Sequence, residues 1–146
     1  MESQLGMSIN RILIIDTDRA FANVLAIRCQ RLNLRVTHTV DSQNAVSLMR
    51  SDPPSLILLA DVEAVDENGQ SLAERLATDR KLEGIPVIVL ANESDRYTIH
   101  RCQELGHVYF HKSLDMWERL IPVIARILSM PTTQPTARRR FASLRM

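Results

Sequence analysis

The sequence is poor in the residues that most often mark a chemical site. Its 146 residues include only two cysteines and four glycines, and its four histidines show no metal-ligand spacing. Cys29 and Cys102 form no zinc or redox motif, so we expect buried or half-buried thiols in a reducing compartment. His107 and His111 are expected to be solvated loop residues. The sequence also lacks a glycine-rich phosphate loop and any Ser-His-Asp or Cys-His arrangement.

Long apolar runs and a dominant charge are missing too. No segment approaches the length of a membrane span and the N-terminus has no signal-peptide core, which predicts a cytoplasmic protein without a membrane partner. The net charge of +1 gives no general indication of a nucleic-acid partner. Residues 131–146 nevertheless hold four arginines and no acid. We expect a disordered basic tail there, or else a tail that docks a partner or touches nucleic acid without reading its sequence.

What the sequence does contain is a series of short apolar runs that alternate with amphipathic segments. The length favours a single domain, which we expect over residues 9–130 after a loose N-terminal lead of residues 1–8. The expected strands are residues 12–15, 34–40, 56–60, 86–90 and 108–110. The expected helices are residues 19–32, 42–50, 70–80, 92 or 94 to 105, and 115–130, with a kink or late start at Pro122. Such alternation predicts an α/β fold with a flavodoxin-like, doubly wound, five-stranded parallel sheet of order 2-1-3-4-5 and helices on both faces.

Carboxylates follow two of the predicted strands at the point where each strand ends. Asp16 and Asp18 come after the first strand, and Asp61 comes after the third. Open α/β sheets bind ligands at this edge, where the strand order reverses. We therefore expect Asp16 and Asp61 to share one weak divalent-cation site and at least one of them to have a raised pKa. The alternative for Asp18 is that it only caps the following helix.

The strand ends carry a resemblance to a known family. Residues 12–18, residues 56–61 with Gly69, residues 85–91 and residues 105–112 resemble the segments of a bacterial response-regulator receiver domain of the chemotaxis type. The resemblance implies that Asp61 is the phosphoacceptor and that Lys112 pairs with the phosphoryl oxygens. Three spacings favour Asp61, whereas counting forward from the double proline before the third strand would put the acceptor position at Ala60.

The same resemblance implies a cation and a switch. It places a weakly bound Mg²⁺ on Asp16, Asp61 and Glu63, with Asp18 as a further candidate ligand. It also makes Tyr109 the switch aromatic residue.

Several positions depart from the family pattern. Thr17 stands where a second adjacent acid is expected, and Ala91 stands where a threonine or serine would donate a hydroxyl group to the phosphoryl group. Ser113 and Val65 replace prolines. Losing a hydrogen bond to a charged group costs about 1.5–3 kcal/mol, enough to slow phosphorylation and to weaken the coupling of the switch.

Two functions follow from these expectations. The first is a stand-alone receiver of phosphorelay signalling, switched at Asp61. The alternative is a pseudo-receiver that acts as a protein-interaction scaffold without phosphorylation. An enzyme or flavin binder is disfavoured, because the acidic loops would repel a phosphate-bearing cofactor.

The partners implied are proteins. They are a histidine kinase or phosphotransfer protein, and a downstream target or a second copy of the chain. The expected docking surface is formed by the fourth helix, the fifth strand and the fifth helix, with His100, Gln103, Glu104, Tyr109 and Arg119.

Overall fold

The computed structural model describes residues 10–92 and 95–129. The chain divides into a unit of residues 1–112 and a unit of residues 113–146. In chain order, the elements of the first unit are β1 (Arg11–Ile15), α1 (Arg19–Gln30), β2 (Arg35–Thr39), α2 (Ser42–Ser51), β3 (Leu56–Leu59), α3 (Leu72–Thr78), β4 (Val87–Ala91), α4 (Arg96–Glu104) and β5 (Val108–His111). The second unit contains α5 (Met116–Ile127). The predicted lead and tail lie outside the described residues, so the domain boundaries stay a prediction.

The five strands form one parallel sheet in the order β2-β1-β3-β4-β5. This confirms the predicted flavodoxin-like fold and strand order. In the centre of the sheet, Ile15 of β1 pairs with Thr39 on one side and with Leu59 on the other. The carboxyl ends of β1 and β3 therefore lie side by side, which places the residues after both strands at one edge.

The central strands are apolar because both of their faces are covered. Every residue of β3 and β4 is buried, and so are four of the five residues of β1. Ile14, Leu58 and Leu90 have no exposed surface. The edge strand β2 instead alternates between exposed and half-buried residues. Continuous apolar runs in the sequence thus indicated the buried strands correctly.

Acidic and hydroxyl side chains set the starts of the first four helices. Asp18 and Asp41 cap α1 and α2 by accepting backbone N–H groups, and Ser71 caps α3 in the same way. Asp18 thus caps α1, as the alternative predicted, and its role as a cation ligand stays a prediction. Helix α4 begins at Arg96, because Asp95 accepts the N–H of Thr98, so the starts expected at residues 92 or 94 were two to four residues early.

The second unit corrects one expectation about proline. Helix α5 begins at Met116 and contains Pro122 in its interior. The expectation that the helix starts late, at Pro122, is therefore wrong. Leu120 and Ile124 of this helix are buried.

Both cysteines are buried, as the sequence predicts. Cys29 and Cys102 are free and buried, and burial raises the pKa of the Cys29 thiol to about 12. Within residues 10–92 and 95–129, no helix combines the length and apolar character that crossing a bilayer requires.

Two histidines were wrongly predicted to be solvated. His107 is buried, and its Nε2 lies 2.7 Å from the carbonyl oxygen of Ala73 in α3. His111 belongs to β5 and is half-buried, with an Nδ1 atom that is shielded from solvent and has no hydrogen-bond partner. The sequence shows that His107 and His111 lie near a strand end. It does not show that the carbonyl oxygen of Ala73 in α3 accepts a hydrogen bond from His107.

Burial of His107 should make stability depend on pH. Desolvation lowers the pKa of His107, and the hydrogen bond to Ala73 offsets only part of this effect. The unfolded chain therefore binds a proton at a higher pH than the folded chain does. We expect the free energy of unfolding to fall as the pH drops below about 6.5, the ordinary histidine pKa, and to level off below the folded pKa. Urea unfolding between pH 7.5 and pH 5 measures this, and His107→Gln should flatten the profile. An unchanged profile in that variant would contradict the assignment.

Candidate functional site

Asp16 is a buried carboxylate at the end of β1. Its residue is 3% exposed, and its backbone N–H donates to the carbonyl oxygen of Thr39. Its Oδ1 accepts the N–H of Asp18 at 3.0 Å. Its Oδ2 is buried and has no hydrogen-bond partner. A buried carboxylate oxygen without a partner is costly, and a cation ligand is a physical explanation for it.

The charge state of Asp16 reflects this burial. Burial raises the pKa of the carboxyl group. The Asp18 N–H and the charge of Lys112 lower it, while the charges of Asp18 and Asp61 raise it further. The net shift of the pKa is upward, as predicted for one of the site carboxylates, and burial contributes more to it than the repulsion by Asp18 and Asp61 does. These couplings also bring Asp16, Asp61 and Lys112 into one electrostatic group.

Asp61 lies two residues beyond β3, at the start of the loop after that strand. It is half-buried, and its Oδ1 accepts the N–H of Glu63 at 3.0 Å. Its carbonyl oxygen accepts the N–H of Ala64, which closes a turn. Ala60, the alternative acceptor position, is buried and donates its N–H to Ile15. Since Ala60 carries no nucleophile, Asp61 is the carboxylate that this strand end offers to a ligand.

Lys112 directly follows β5, the outer strand of the sheet, and its side chain extends toward the end of β3. Its backbone N–H donates to the carbonyl oxygen of Ala91, which ties the end of β5 to the end of β4. Its Nζ donates to the carbonyl oxygen of Ala60 at 2.9 Å and lies 4.4 Å from the centre of the Phe21 ring. The ammonium group therefore contacts the residue directly before Asp61.

The predicted cation ligands are brought together only in part. Glu63 is exposed and lines a neighbouring cleft of about 370 Å³ beside α3 and α4. Asp18 uses its Oδ1 to cap α1. In the described part of the chain, no three His, Cys, Asp or Glu side chains are arranged to hold a metal ion. The structure offers a cation the buried, unpaired Oδ2 of Asp16. The carboxylate of Asp61 is close enough to interact electrostatically with Asp16.

The predicted switch positions lie on neighbouring strands, two residues apart in the register. Ala91 is buried and pairs with His111 across β4 and β5. Tyr109 pairs with Val89 and packs, half-buried, against the core cluster that includes Val89 and Cys102. A methyl group at position 91 cannot donate a hydrogen bond, so Ala91 itself offers no hydroxyl group to a ligand at Asp61.

The sequence analysis missed an ion-pair network beneath the loop after Asp61. Asp66 has no exposed surface, and its Oδ1 accepts the N–H groups of Asn68 and Gln70. Its Oδ2 accepts from Arg75 Nη1 at 2.7 Å, and Arg75 Nε donates to Asp79 at 3.0 Å. These contacts fix the loop from within. The only sequence signal was the spacing of Asp66 and Arg75 in an otherwise acidic loop.

Comparisons with known proteins agree with this geometry. The family model described as the response regulator receiver domain matches residues 12–121. The DNA-binding transcriptional regulator NtrC of Azospirillum brasilense is 33% identical over 129 residues, which are 86% of this chain and 26% of that protein. The rice two-component response regulator ORR11 (Oryza sativa subsp. indica) is 26% identical over 95 residues, and the match covers 65% of each protein. The chain thus spans less than two thirds of the length of these relatives.

The fold comparison gives the same answer. The crystal structure of a response regulator from Desulfuromonas acetoxidans superposes with a TM-score of 0.69 at 22% identity, covering 82% of this chain and 97% of that one. At this identity the likeness concerns the fold alone. The sequence match over residues 12–121 is the stronger observation, because it includes the ends of β1, β3, β4 and β5. The chain belongs to the family of response regulator receiver domains, which serve two-component signalling.

Proposed function

We propose that this receiver domain accepts a phosphoryl group on Asp61. A carboxylate oxygen of Asp61 attacks the phosphorus atom of the donor, a new O–P bond forms, and the bond to the donor breaks with its electron pair leaving on the donor atom. The observation that carries the proposal is the position of Asp61 at the sheet edge, within electrostatic range of the buried Asp16. Lys112 Nζ, bound to the carbonyl of the preceding residue, is available to pair with the incoming phosphoryl oxygens.

Asp16 and Asp61 are the side chains that would hold a Mg²⁺ ion, with Asp18 or Glu63 as further ligands. The unpaired Oδ2 of Asp16 supports this assignment. When bound, the ion would neutralise charge on the phosphoryl oxygens. The raised pKa of Asp16 means that its charged form is disfavoured without a counter-ion, so a cation should stabilise the fold.

The test is a labelling experiment on the full chain. The protein is incubated with a small-molecule phosphodonor, with Mg²⁺ or with a chelator, and its intact mass is measured. We expect one added phosphoryl group in Mg²⁺ and much less in the chelator. No added mass under either condition would favour the second candidate function below.

Restoring the second acid should strengthen cation binding. Thr17 is exposed next to Asp16, where the family pattern has a carboxylate. We expect Thr17→Asp to increase the Mg²⁺ affinity about tenfold or more, since a contact to a charged group contributes about 1.5–3 kcal/mol. The dependence of the melting temperature on Mg²⁺ concentration gives the affinity. The neutral variant Thr17→Asn is the matched control, and an equal affinity in both variants would argue against a cation at this edge.

We further propose that phosphorylation is weakly coupled to the shape of the output surface. A ligand shifts a conformational equilibrium only through its differential affinity for the two states. The hydroxyl contact that would supply the difference is missing at Ala91, and Tyr109 already packs against the core. The surface of α4 and β5 would then bind its partner in one standing conformation.

This leads to the second candidate function, a scaffold that works without phosphorylation. Ala91 and Thr17 favour it, because each removes one group that the signalling chemistry uses. For either function we propose protein partners. The phosphoryl donor would be a histidine kinase or phosphotransfer protein, and the downstream partner would be a target protein or a second copy of the chain. Affinity for an identified partner, titrated before and after phosphodonor treatment, distinguishes the two. A tenfold change would show a working switch.

A further inference from the structure

Lys112 is held in place by an aromatic ring that the functions above do not use. The chain contains two lysines, Lys81 and Lys112, and only Lys112 lies at the carboxyl edge of the sheet. Its Nζ lies 4.4 Å from the centre of the Phe21 ring, within the range of a cation–π contact. The same Nζ donates to the carbonyl oxygen of Ala60. Two neutral groups, a ring face and a carbonyl, therefore support one ammonium group.

The start of α1 fixes the position of this ring. Asp18 caps the helix by accepting the N–H of Phe21 at 3.1 Å, so the backbone of Phe21 is tied to the residues that follow β1. Phe21 is half-buried, and Leu25 one turn later is buried. The ring consequently stands over the edge where Asp16 ends its strand.

The chemistry of the support matters for the lysine. A carboxylate partner would neutralise the ammonium group and compete with an incoming phosphoryl group. A ring face attracts the cation and leaves its charge uncompensated. A flexible lysine side chain that is already ordered also loses less entropy when a ligand arrives.

We propose that Phe21 is a positioning residue that holds the Lys112 ammonium group ready at the Asp61 site. The proposal deepens the phosphoacceptor function, on which its kinetic consequence rests. It assigns to the first turn of α1 a role in orienting the group that pairs with the phosphoryl oxygens.

The contact itself can be observed without any phosphorylation. In a ¹³C-lysine-labelled chain, the ε-methylene protons of Lys112 should be shifted upfield by the ring current of Phe21, and those of the exposed Lys81 provide the internal reference. We expect the upfield shift to disappear in Phe21→Leu and to return in Phe21→Tyr. A wild-type Lys112 signal at the position of Lys81, or one unchanged in Phe21→Leu, would overturn the proposal.

Labelling by the phosphodonor gives the functional readout. Loss of one partly exposed cation–π contact should slow labelling by roughly two- to fivefold in Phe21→Leu, and Phe21→Tyr should recover the wild-type rate. The matched control is Leu25→Val, which truncates a buried apolar side chain one turn later on the same helix. Equal slowing in Leu25→Val would show that Phe21 acts only through stability and would refute the positioning role.

The two readouts separate the two claims. If the wild type is not labelled at all, the phosphoacceptor function fails, and the proton shifts still decide whether Phe21 positions Lys112. If labelling proceeds and the shifts are absent, the acceptor function stands and the positioning role is refuted.

Discussion

Replacing Asp61 by asparagine should abolish phosphoryl incorporation, while the same change at Asp41 should leave most of it. An amide is a poor nucleophile, so Asp61→Asn removes the attacking oxygen itself. The neighbouring carboxylates are poor substitutes. Asp16 is buried and its raised pKa disfavours the charged form, and Asp18 is engaged as the cap of α1. Intact mass after phosphodonor treatment in Mg²⁺ is the measurement.

Asp41→Asn is the matched control for this prediction, because Asp41 caps α2 and is not a proposed ligand of the site. Asparagine is also a good N-cap, and the charge change is the same. Peptide mapping after labelling then identifies the modified residue. Equal labelling of wild type and Asp61→Asn would remove Asp61 from the mechanism and direct attention to Asp16 or Glu63.

The parts of this account that the sequence predicted are those governed by local pattern. Continuous apolar runs predicted β3 and β4, because only a strand covered on both faces tolerates them. The alternation of strands and helices then limited the topology to a few arrangements. Since parallel strands end at the same edge, the sequence also placed Asp16 and Asp61 near each other before any contact was known.

The parts that it missed depend on tertiary partners. Nothing near His107 in the sequence identifies the carbonyl of Ala73, 34 residues away, as its partner. The loop after Asp61 is acidic in sequence, and nothing in that pattern predicts that Asp66 is completely buried. Helix α3 ends at Thr78, two residues before the predicted end, and the next residue, Asp79, bonds to Arg75 and to the N–H of Lys81.

Replacing Arg75 by methionine should have the largest effect on stability among the polar residues of the fold. The side chain of Arg75 is 14% exposed and pairs with Asp66 and Asp79, whose side chains are 0% and 6% exposed. Methionine keeps much of the volume but leaves Asp66 as a buried charge without a counter-ion. Breaking a buried pair in this way typically costs about 3–5 kcal/mol, and we expect a loss of free energy of unfolding at the lower end of that range. Urea unfolding at pH 7 measures it.

The pH dependence gives this prediction a second signature. Burial alone would raise the pKa of Asp66, but the N–H of Gln70, the Arg75 side chain and the N–H of Asn68 outweigh it and hold the pKa below its usual value. In the wild type the stabilisation by this pair is therefore present above about pH 3.8 and is lost as the pH falls through the lower folded pKa. Without Arg75 the Asp66 carboxyl group should protonate at a higher pH. The difference in free energy of unfolding between Arg75→Met and the wild type should then become smaller as the pH is lowered from 7 to 4.

Two further variants test the origin of the effect. Arg50 pairs with Asp79 from a side chain that is 45% exposed, so Arg50→Met should cost less than about 1 kcal/mol. Asp66→Asn in the Arg75→Met background should recover part of the lost stability, because the unpaired charge is gone. If Arg75→Met were no worse than Arg50→Met, the network would not be what holds the loop after Asp61.

This loop connects stability to function. Val65 stands where the family pattern has a proline, and the loop is shaped instead by the backbone pairing of Val65 with Ser71 and by the Asp66–Arg75 ion pair. The loop also carries Glu63, whose N–H binds Asp61. We infer that the network replaces a rigid proline as the support of Asp61, the proposed phosphoacceptor.

The central claim is that Asp61 takes a phosphoryl group whose arrival is not transmitted to β5. The most direct test is the NMR spectrum of the backbone amides in the ¹⁵N-labelled chain, recorded before and after addition of Mg²⁺ and beryllofluoride, a mimic of the phosphoryl group. The comparison variant is Ala91→Ser, which restores the hydroxyl group. The account predicts shifted signals for the loop after Asp61, unchanged signals for Tyr109 and its neighbours in β5, and movement of Tyr109 in Ala91→Ser. Equally large shifts at Tyr109 in the wild type would contradict the uncoupling, and an unchanged loop after Asp61 would contradict the acceptor role itself.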